Sequence, residues 1–342
     1  MTSTADKQAE PRVHPEPSSA VVSLPEMRAA AKALEGVAVR TPLQSFPALH
    51  QIAGVPVALK CEQLQPIGAF KIRGAYTAVS RIPVEARDRG VITYSSGNHG
   101  QAVAFAARQL GVRAVVVMPQ RAPAIKVEGV RRLGGEVVIE GNSSQERYER
   151  ARRIALEEGF TMVPPFESLD VIAGQGTCGL EILEDAPDVE TILVPVGGGG
   201  LIAGISAAVV ALRPEVEVIG VEPAGAPKLS RALAAGRPVT LDHTESIADG
   251  LLPLSIGTIP FGVLSGVVRT VVQLTEDEIV AGLRFLHGAG LSAEPSGAVA
   301  TAALLSRRVR PKGPTVAVLS GGNIDPAMLQ RLVGSSTRSG QG

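Results

Sequence analysis

The sequence predicts a layered α/β fold in which helices cover sheets of mainly parallel strands. Short apolar runs rich in valine and isoleucine recur along the chain, each with the length of a buried strand. Examples are 115–118, 136–139, 191–196 and 315–319. Longer helical patterns lie between them, such as 144–158, whose charged residues fall on one face. This alternation of buried strands with helices is typical of the α/β class.

Lys71 is the first candidate functional residue. It lies between Phe70 and Ile72 and precedes residues 74–79, whose pattern indicates the buried face of a helix. Most lysines are solvated surface charges. A lysine in apolar surroundings instead has a lowered pKa, and its neutral amine is a nucleophile that forms Schiff bases.

A second candidate site follows the strand predicted at 91–94. Four hydrogen-bonding side chains come directly after it, namely Ser95, Ser96, Asn98 and His99. A helix begins here, and its free N–H groups and positive dipole end attract anions. An N-cap by one serine is the simpler explanation. The added amide and imidazole favour a bound carboxylate.

The third candidate is a phosphate site. Four glycines separate the strand at 191–196 from an apolar helix, namely Gly197, Gly198, Gly199 and Gly200. Consecutive glycines let backbone N–H groups turn toward a phosphate, and the helix dipole adds to the attraction. Together with Gly204, the loop also resembles a variant of the dinucleotide fingerprint. Glu222, at the end of the next strand, would then be the ribose-binding acid, and a nicotinamide-dependent oxidoreductase is therefore an alternative.

A fourth strand, 315–319, ends in Ser320, two glycines and Asn323. The chain carries, in this order, GAFKIRGA, SSGNHGQA, AGQGT, VPVGGGG, ADG and LSGGN. This ordered set resembles the serine/threonine dehydratases (threonine ammonia-lyases) of the type II pyridoxal-phosphate fold, a family that includes serine racemases and hydroxyaspartate dehydratases. The similarity runs from about residue 24 to about residue 332. The dinucleotide alternative explains one of these motifs and leaves the others unexplained.

The resemblance implies a tryptophan synthase β-like fold, with two parallel-sheet α/β lobes and the cofactor in the cleft between them. The implied large lobe comprises 20–89 and 168–333, and the small lobe comprises 90–167. The terminal segments 1–19 and 334–342 have the composition of disordered tails. We expect no C-terminal regulatory domain.

The resemblance also assigns roles within a pyridoxal 5'-phosphate site. It makes Lys71 the Schiff-base lysine and the base that removes the α-proton, and it gives Ser96 a catalytic role as the proton donor on the opposite face in racemases. The implied cofactor-binding residues are Phe70, Lys71, Asn98, Gly197, Gly198, Gly199, Gly200 and Ser320. The implied substrate-binding residues are Ser95, Ser96, Asn98 and His99.

The implied reaction is a β-elimination that converts a β-hydroxy amino acid such as L-threonine or L-serine to a 2-oxo acid and ammonia. Amino-acid racemisation, and dehydration of 3-hydroxyaspartate or of a hydroxyectoine-derived substrate, are alternatives within the family. A non-catalytic cofactor-binding protein of the same fold is a further alternative. Many relatives carry hydroxyl residues where this chain has Ile67 and Ala69, so the motifs leave the preferred substrate open.

Other family-like segments place further polar residues near the site. Gln175, Asp249 and Glu294 fall in such segments, and for each a buried structural role is the alternative to a catalytic one. Several relatives bind a divalent metal through an acid at the Glu222 position and a second acid a few residues on. Here Lys228 lies near that second position, so we expect no metal.

Composition agrees with a soluble enzyme and gives no sign of a charged macromolecular partner. The chain has 33 basic and 33 acidic residues, so no electrostatic feature favours nucleic acid or a membrane surface. Cys61 and Cys178 have neither metal-site nor disulfide spacing, which favours a reducing compartment. The polar N-terminus lacks a hydrophobic signal core. We therefore expect a cytoplasmic protein. The resemblance to the dehydratase family adds the expectation of a small-molecule amino-acid substrate and of a homodimer or homotetramer.

Overall fold

The computed structural model describes residues 22–95, 97–122, 124–141 and 143–334. Within these ranges the strands are β1 (Leu43–Ser45), β2 (Val57–Cys61), β3 (Val91–Tyr94), β4 (Ala114–Met118), β5 (Glu136–Ile139), β6 (Thr161–Met162), β7 (Thr191–Pro195), β8 (Glu217–Pro223), β9 (Thr270–Leu274) and β10 (Thr315–Leu319). The helices are α1 (Leu24–Ala33), α2 (Pro47–Ala53), α3 (Lys71–Ser80), α4 (Val84–Arg87), α5 (Asn98–Gln109), α6 (Ala124–Arg132), α7 (Ser144–Glu158), α8 (Leu169–Asp185), α9 (Gly200–Leu212), α10 (Lys228–Ala235), α11 (Thr258–Leu264), α12 (Glu276–Gly288), α13 (Pro295–Leu305) and α14 (Pro326–Val333). The tails predicted to be disordered lie outside the described residues, apart from Gly334.

The strands form two sheets. The larger has the order β1-β2-β10-β7-β8-β9, and only β1 runs antiparallel to its neighbour. The smaller has the order β5-β4-β3-β6 and is parallel throughout. The predicted α/β class with parallel sheets is confirmed, while the limits of the two predicted lobes stay a prediction.

Alternate residues of the central strands pack on opposite faces of the larger sheet. Val316 and Val318 lie in the apolar cluster with residues of α8 and α9. Ala317 and Leu319 lie in the cluster with residues of α12 and α13. Helices therefore cover both faces, which explains why β7 and β10 are apolar at nearly every position.

β5 is less buried than its sequence predicts. The apolar run at 136–139 predicts a buried parallel strand, and β5 is indeed parallel to β4. However, β5 lies at the edge of the smaller sheet, and Ile139 is 46% exposed. An apolar run alone does not distinguish an edge strand from a central one.

Glycine permits close packing of α8 against α9. A Cβ atom on Gly204 would lie 2.4 Å from the backbone nitrogen of Gly176, which is closer than such atoms approach. Gly204 is one of the glycines that suggested a dinucleotide fingerprint, and this contact gives it a packing role instead.

Within the described ranges, no helix is long and apolar enough to cross a membrane.

Candidate active site

The candidate site lies where the segment before α3 meets the loop after β10. The backbone N–H of Phe70 donates to the carbonyl oxygen of Ser320 at 3.1 Å, and Ala69 forms a bridge with Gly321. A Cβ atom on Gly321 would lie 2.2 Å from Oε1 of Glu294. The backbone before Lys71 is therefore fixed to the end of the central strand.

Lys71 is the first residue of α3. Its Nζ atom donates to the carbonyl oxygen of Pro165 at 2.8 Å and lies 5.2 Å from the centre of the Phe70 ring. No carboxylate in the described part of the chain forms an ion pair with it. Burial disfavours the ammonium form and lowers the pKa of Lys71 to about 8. A substantial fraction of this lysine is therefore a neutral amine near pH 8.

A buried charge network holds α3 two residues beyond Lys71. Arg73 donates two hydrogen bonds to Glu62, at 2.7 and 2.8 Å, and two to Glu181, each 2.8 Å long. Lys60 donates to Glu181 at 2.6 Å and to the Thr41 carbonyl oxygen at 2.7 Å. Each charge has an opposite charge as a hydrogen-bond partner, which is the condition under which buried charges are tolerated.

Asn98 belongs to a chain of amide hydrogen bonds that crosses the site. Its Nδ2 atom donates to Oε1 of Glu294 at 2.6 Å, and its Oδ1 atom accepts from Nδ2 of Asn323 at 2.8 Å. Asn323 also donates to the carbonyl oxygen of Ile67 at 2.7 Å. Burial and the nearby charge of Asp249 raise the pKa of Glu294 to about 8. Glu294 is therefore mostly a neutral carboxylic acid at pH 7.

His99 is buried on α5 beside the same loop. Its Nε2 atom lies 3.1 Å from the carbonyl oxygen of Val163, and its Nδ1 atom has no hydrogen-bond partner among the described residues. Because a carbonyl only accepts, Nε2 carries the hydrogen and Nδ1 is an acceptor. Burial and the charge of Lys71 lower the pKa of His99 to about 3, so the imidazole is neutral at pH 7.

Of the two serines in the loop before α5, the structure describes only Ser95. The hydroxyl of Ser95 accepts from the backbone N–H of Gly97 at 3.2 Å, so it stabilises the turn before α5. The cap position of α5 is Gly97, and no side chain among the described residues caps this helix. Ser96, to which the sequence assigned catalytic and substrate-binding roles, lies outside the described residues.

The glycine loop joins β7 to α9 and leaves backbone donors free. Gly199 has a φ of 99°, a left-handed conformation that favours glycine. Across the described ranges, no hydrogen bond uses the backbone N–H of Gly197, Gly198 or Gly199. A Cβ atom on Gly198 would lie 2.1 Å from the Phe166 ring. The loop therefore requires small residues and presents unpaired donors at the start of α9, as an anion site does.

Some polar residues of this region were not recognised as site residues from the sequence. Asn323, Arg73, Glu62 and the Pro165 carbonyl belong to this group. The pattern around Arg73 does carry a signal, since a charged residue on an otherwise buried helix face requires a buried partner. A backbone carbonyl such as that of Pro165 leaves no signal in a sequence.

The structure does not give Glu222 the ribose-binding role considered above. Its carboxylate accepts from the backbone N–H groups of Leu229 and Ser230, at 3.0 and 3.1 Å, and from the Ser230 hydroxyl at 2.6 Å. These contacts cap α10 and occupy both carboxylate oxygens.

Comparison with known protein families decides the identity of the cofactor. The family model of pyridoxal-phosphate dependent enzymes matches residues 34–321. The chain belongs to this family. It is an enzyme whose cofactor is pyridoxal phosphate, and the nicotinamide alternative is set aside.

Individual relatives agree with this assignment. An L-threonine ammonia-lyase of Thermotoga maritima is 43% identical, over 92% of this chain and 78% of the relative. One from Geobacter sulfurreducens is 47% identical, over 82% of this chain and 70% of the relative. The structure of maize serine racemase has a TM-score of 0.88 and 35% identity, and the match covers 91% of this chain and 96% of that one. The predicted resemblance and the type II fold are thereby confirmed.

The residues present fit pyridoxal phosphate. The unpaired amides of the glycine loop suit its phosphate, and the amine of Lys71 suits its aldehyde. Ser320 is buried, and its hydroxyl forms no hydrogen bond within the described part of the chain. This hydroxyl is therefore available to form a hydrogen bond with the ring nitrogen of the cofactor. The individual roles of these residues remain predictions.

Proposed function

We propose that this enzyme is an ammonia-lyase that dehydrates and deaminates L-threonine, L-serine or both, releasing a 2-oxo acid and ammonia. The main observation behind the proposal is the amine of Lys71, which is partly buried, has a lowered pKa, and has no ion pair with a carboxylate of the described residues. It lies beside a loop suited to an amino-acid carboxylate. The names of the two ammonia-lyase relatives support the same substrate class.

Lys71 performs two tasks in this proposal. Its neutral amine would hold the aldehyde of the cofactor, and the same amine would take the proton from the substrate Cα. A pKa of about 8 suits both tasks, because the amine accepts a proton readily and is partly unprotonated near neutral pH. The Pro165 carbonyl accepts a hydrogen bond from the amine and limits its position.

Four groups would hold the cofactor: the ring of Phe70, the amide of Asn98, the N–H groups of Gly197–Gly200 and the hydroxyl of Ser320. When bound, pyridoxal phosphate withdraws electron density from the substrate Cα. A hydroxyl at the ring nitrogen does not favour full protonation of that nitrogen, as a carboxylate would. Ser320 therefore favours elimination over transamination.

The loop before α5 would bind the substrate carboxylate. The first N–H groups of α5 and the Ser95 hydroxyl offer donors there, and the helix dipole favours a negative charge. Asn98 and His99 complete this side of the site, and Ser96 is proposed to contribute its hydroxyl. Binding by this loop positions the Cα–H bond toward Lys71 and excludes water from the cleft.

The overall reaction balances without an added reactant. The Cα proton and the β-hydroxyl leave as water, and one water molecule then adds at Cα to release ammonia. L-Threonine gives 2-oxobutanoate, and L-serine gives pyruvate.

Serine racemisation is the second candidate, because the maize serine racemase structure matches most of this chain. A racemase needs a proton donor on the face opposite Lys71, a role proposed for Ser96. Racemases of this family tend to carry an arginine near the start of a helix in this part of the chain, and the candidate positions here are Glu146 and Arg147. Arg147 is buried and donates to the Ser144 hydroxyl at 3.0 Å within α7, which supports a structural role.

The test uses purified holoenzyme and L-threonine, L-serine, D-serine and both diastereomers of 3-hydroxyaspartate. Release of 2-oxo acid and ammonia is measured together with the enantiomeric composition of the remaining serine. We expect 2-oxo acid and ammonia in equal amounts from L-threonine or L-serine, and little D-serine. Serine that racemises faster than it is deaminated would favour the second candidate.

Two lysine variants control the assay. Lys71→Ala is expected to lower the rate by about 10²–10⁴ or more, since it removes the base. Lys312→Ala changes an exposed loop lysine and is expected to retain full activity. Equal activity of Lys71→Ala and wild type would contradict the proposal.

A further inference from the structure

Lys228 is a buried lysine that the proposed reaction does not use. Its side chain is fully inaccessible to solvent, and no carboxylate of the described residues lies within ion-pair distance of its Nζ atom. It is also the first residue of α10, where the helix dipole disfavours a positive charge. Burying a lysine here costs folding free energy, because its charge is removed from water without an opposite charge as partner. If the position needed only apolar packing, methionine or leucine would be more stable there.

The ammonium of Lys228 binds two backbone carbonyls. Nζ donates to the carbonyl oxygen of Leu251 at 2.7 Å and to that of Ala226 at 3.0 Å. Leu251 is 23 residues away in sequence, so this hydrogen bond joins two separate segments. Burial lowers the pKa of Lys228 to about 8, while the charge of the buried Glu222 carboxylate favours the ammonium form, so the side chain is mostly an ammonium at pH 7.

The Leu251 carbonyl belongs to the short helical turn Asp249–Leu251, which lies beside the glycine loop. A Cβ atom on Gly197 would lie 3.0 Å from the carbonyl oxygen of Gly250 and 3.8 Å from Cα of Leu251. On its other side, the backbone N–H of Gly250 donates to the Ser296 hydroxyl at 2.9 Å. The turn therefore forms one wall of the glycine loop, and its position limits that of Gly197.

Asp249 links the same turn to the smaller sheet. Its carboxylate forms an ion pair with Lys126 of α6, the helix that precedes β5 of that sheet. A displacement of the turn would therefore change both the glycine loop and this ion pair.

We infer that Lys228 is a positioning residue for the cofactor phosphate: its ammonium holds the Asp249–Leu251 turn against Gly197 and so keeps the amides of the glycine loop aimed at the phosphate. This inference rests on the proposal that the glycine loop binds the phosphate. It makes Lys228 important for cofactor affinity without any contact between Lys228 and the cofactor.

The test compares pyridoxal phosphate with pyridoxal, which lacks the phosphate. Dissociation constants of both are measured by absorbance titration of the apoenzyme, for wild type and for Lys228→Met. We expect Lys228→Met to weaken binding of pyridoxal phosphate about tenfold, the effect of losing hydrogen bonds from a charged donor. Binding of pyridoxal is expected to change by less than about twofold.

Ser230→Ala is the matched control. It removes a 2.6 Å hydrogen bond to Glu222 at the same end of α10 but leaves the contact with Leu251. We expect it to lower the melting temperature and to leave both dissociation constants unchanged. Lys228→Arg, which retains the charge and the donors, is expected to bind pyridoxal phosphate more tightly than Lys228→Gln does. If Lys228→Met does not fold, the comparison of Lys228→Arg with Lys228→Gln tests the role of the Lys228 ammonium instead.

Three results separate the two proposals. An unchanged affinity for pyridoxal phosphate in Lys228→Met and Lys228→Gln would overturn the role of Lys228. Equal losses for both ligands would also overturn it, because the effect would not depend on the phosphate. Wild type that binds pyridoxal as tightly as pyridoxal phosphate would instead overturn the assignment of the glycine loop.

Discussion

Arg73 donates to both carboxylate oxygens of Glu62, from Nε at 2.7 Å and from Nη2 at 2.8 Å, and both side chains are buried. The pair lies two residues beyond Lys71 and fixes the first turn of α3. Glu181 completes the set of carboxylates around the guanidinium. The amine at the centre of the site is therefore held by a fully paired network of buried charges.

We predict that Arg73→Met lowers the free energy of unfolding by about 3–5 kcal/mol, because it leaves the buried carboxylate of Glu62 without its cationic partner and removes one of the two cationic partners of Glu181. Urea denaturation of the apoenzyme measures this loss. Arg113→Met is the control, since Arg113 pairs with Glu136 at a site where both side chains are about half exposed. That variant should lose no more than about 1 kcal/mol. Similar losses in the two variants would contradict the structural importance of the network.

The rate of cofactor uptake should depend on the protonation of Lys71. Only the neutral amine attacks an aldehyde, and burial lowers the pKa of Lys71 from 10.5 to about 8. The rate constant of apoenzyme reconstitution with pyridoxal phosphate should therefore rise from pH 6 to about pH 8 and then level off. Stopped-flow absorbance measures this rate. A rise that continues toward pH 10.5 would show that Lys71 is not desolvated.

Glu294 should make the stability of the apoenzyme depend on pH. Its pKa rises from 4.5 to about 8 on folding, so the folded state holds a proton that the unfolded state releases in this interval. The contribution is fully present below pH 4.5 and is lost as the pH rises through 8. Glu294→Gln lacks this group. Wild type should therefore lose up to about 4 kcal/mol relative to Glu294→Gln between pH 5 and pH 9.

Denaturant titrations of the two proteins at several pH values test this difference. Glu136→Gln, at an exposed position, serves as the control and should follow wild type over the same range. Parallel stability curves for wild type and Glu294→Gln would show that the Glu294 carboxyl is ionised in the folded state.

Asn98 and Asn323 should act as a unit in cofactor binding. Asn323 donates to Asn98 Oδ1 and thereby fixes the direction in which the Asn98 amide points. The free-energy losses of Asn98→Ala and Asn323→Ala in cofactor affinity should therefore be less than additive, with a coupling of about 1 kcal/mol. A double-mutant cycle by spectroscopic titration gives this coupling. Strict additivity would mean that Asn323 does not orient Asn98.

The strands and loops of the site were predictable because their signals are local. An apolar run followed by glycines or small polar residues predicts a buried strand that ends at a loop, and β3, β7 and β10 all have this form. The capping box of Ser143 and Glu146 likewise defines the start of α7.

The contacts between distant segments were not predictable. Arg73 and Glu181 are 108 residues apart, and Lys60 and Glu181 are 121 apart, so no local pattern relates them. The exposure of β5 depends on its place in the sheet, which its own residues do not specify. In the sequence, Lys228 was only evidence against a metal site. Its hydrogen bond to the carbonyl oxygen of Leu251 depends on the fold and could not be predicted.

The most direct test of the account is to map the lysine that binds the cofactor. The holoenzyme is reduced with borohydride, which fixes pyridoxal phosphate to that lysine, and the tryptic peptides are analysed by mass spectrometry. We expect one modified peptide that runs from Cys61 to Arg73, with the added mass on Lys71, because trypsin does not cleave after a modified lysine. Modification of another lysine, such as Lys60, Lys126 or Lys228, in place of Lys71 would contradict it.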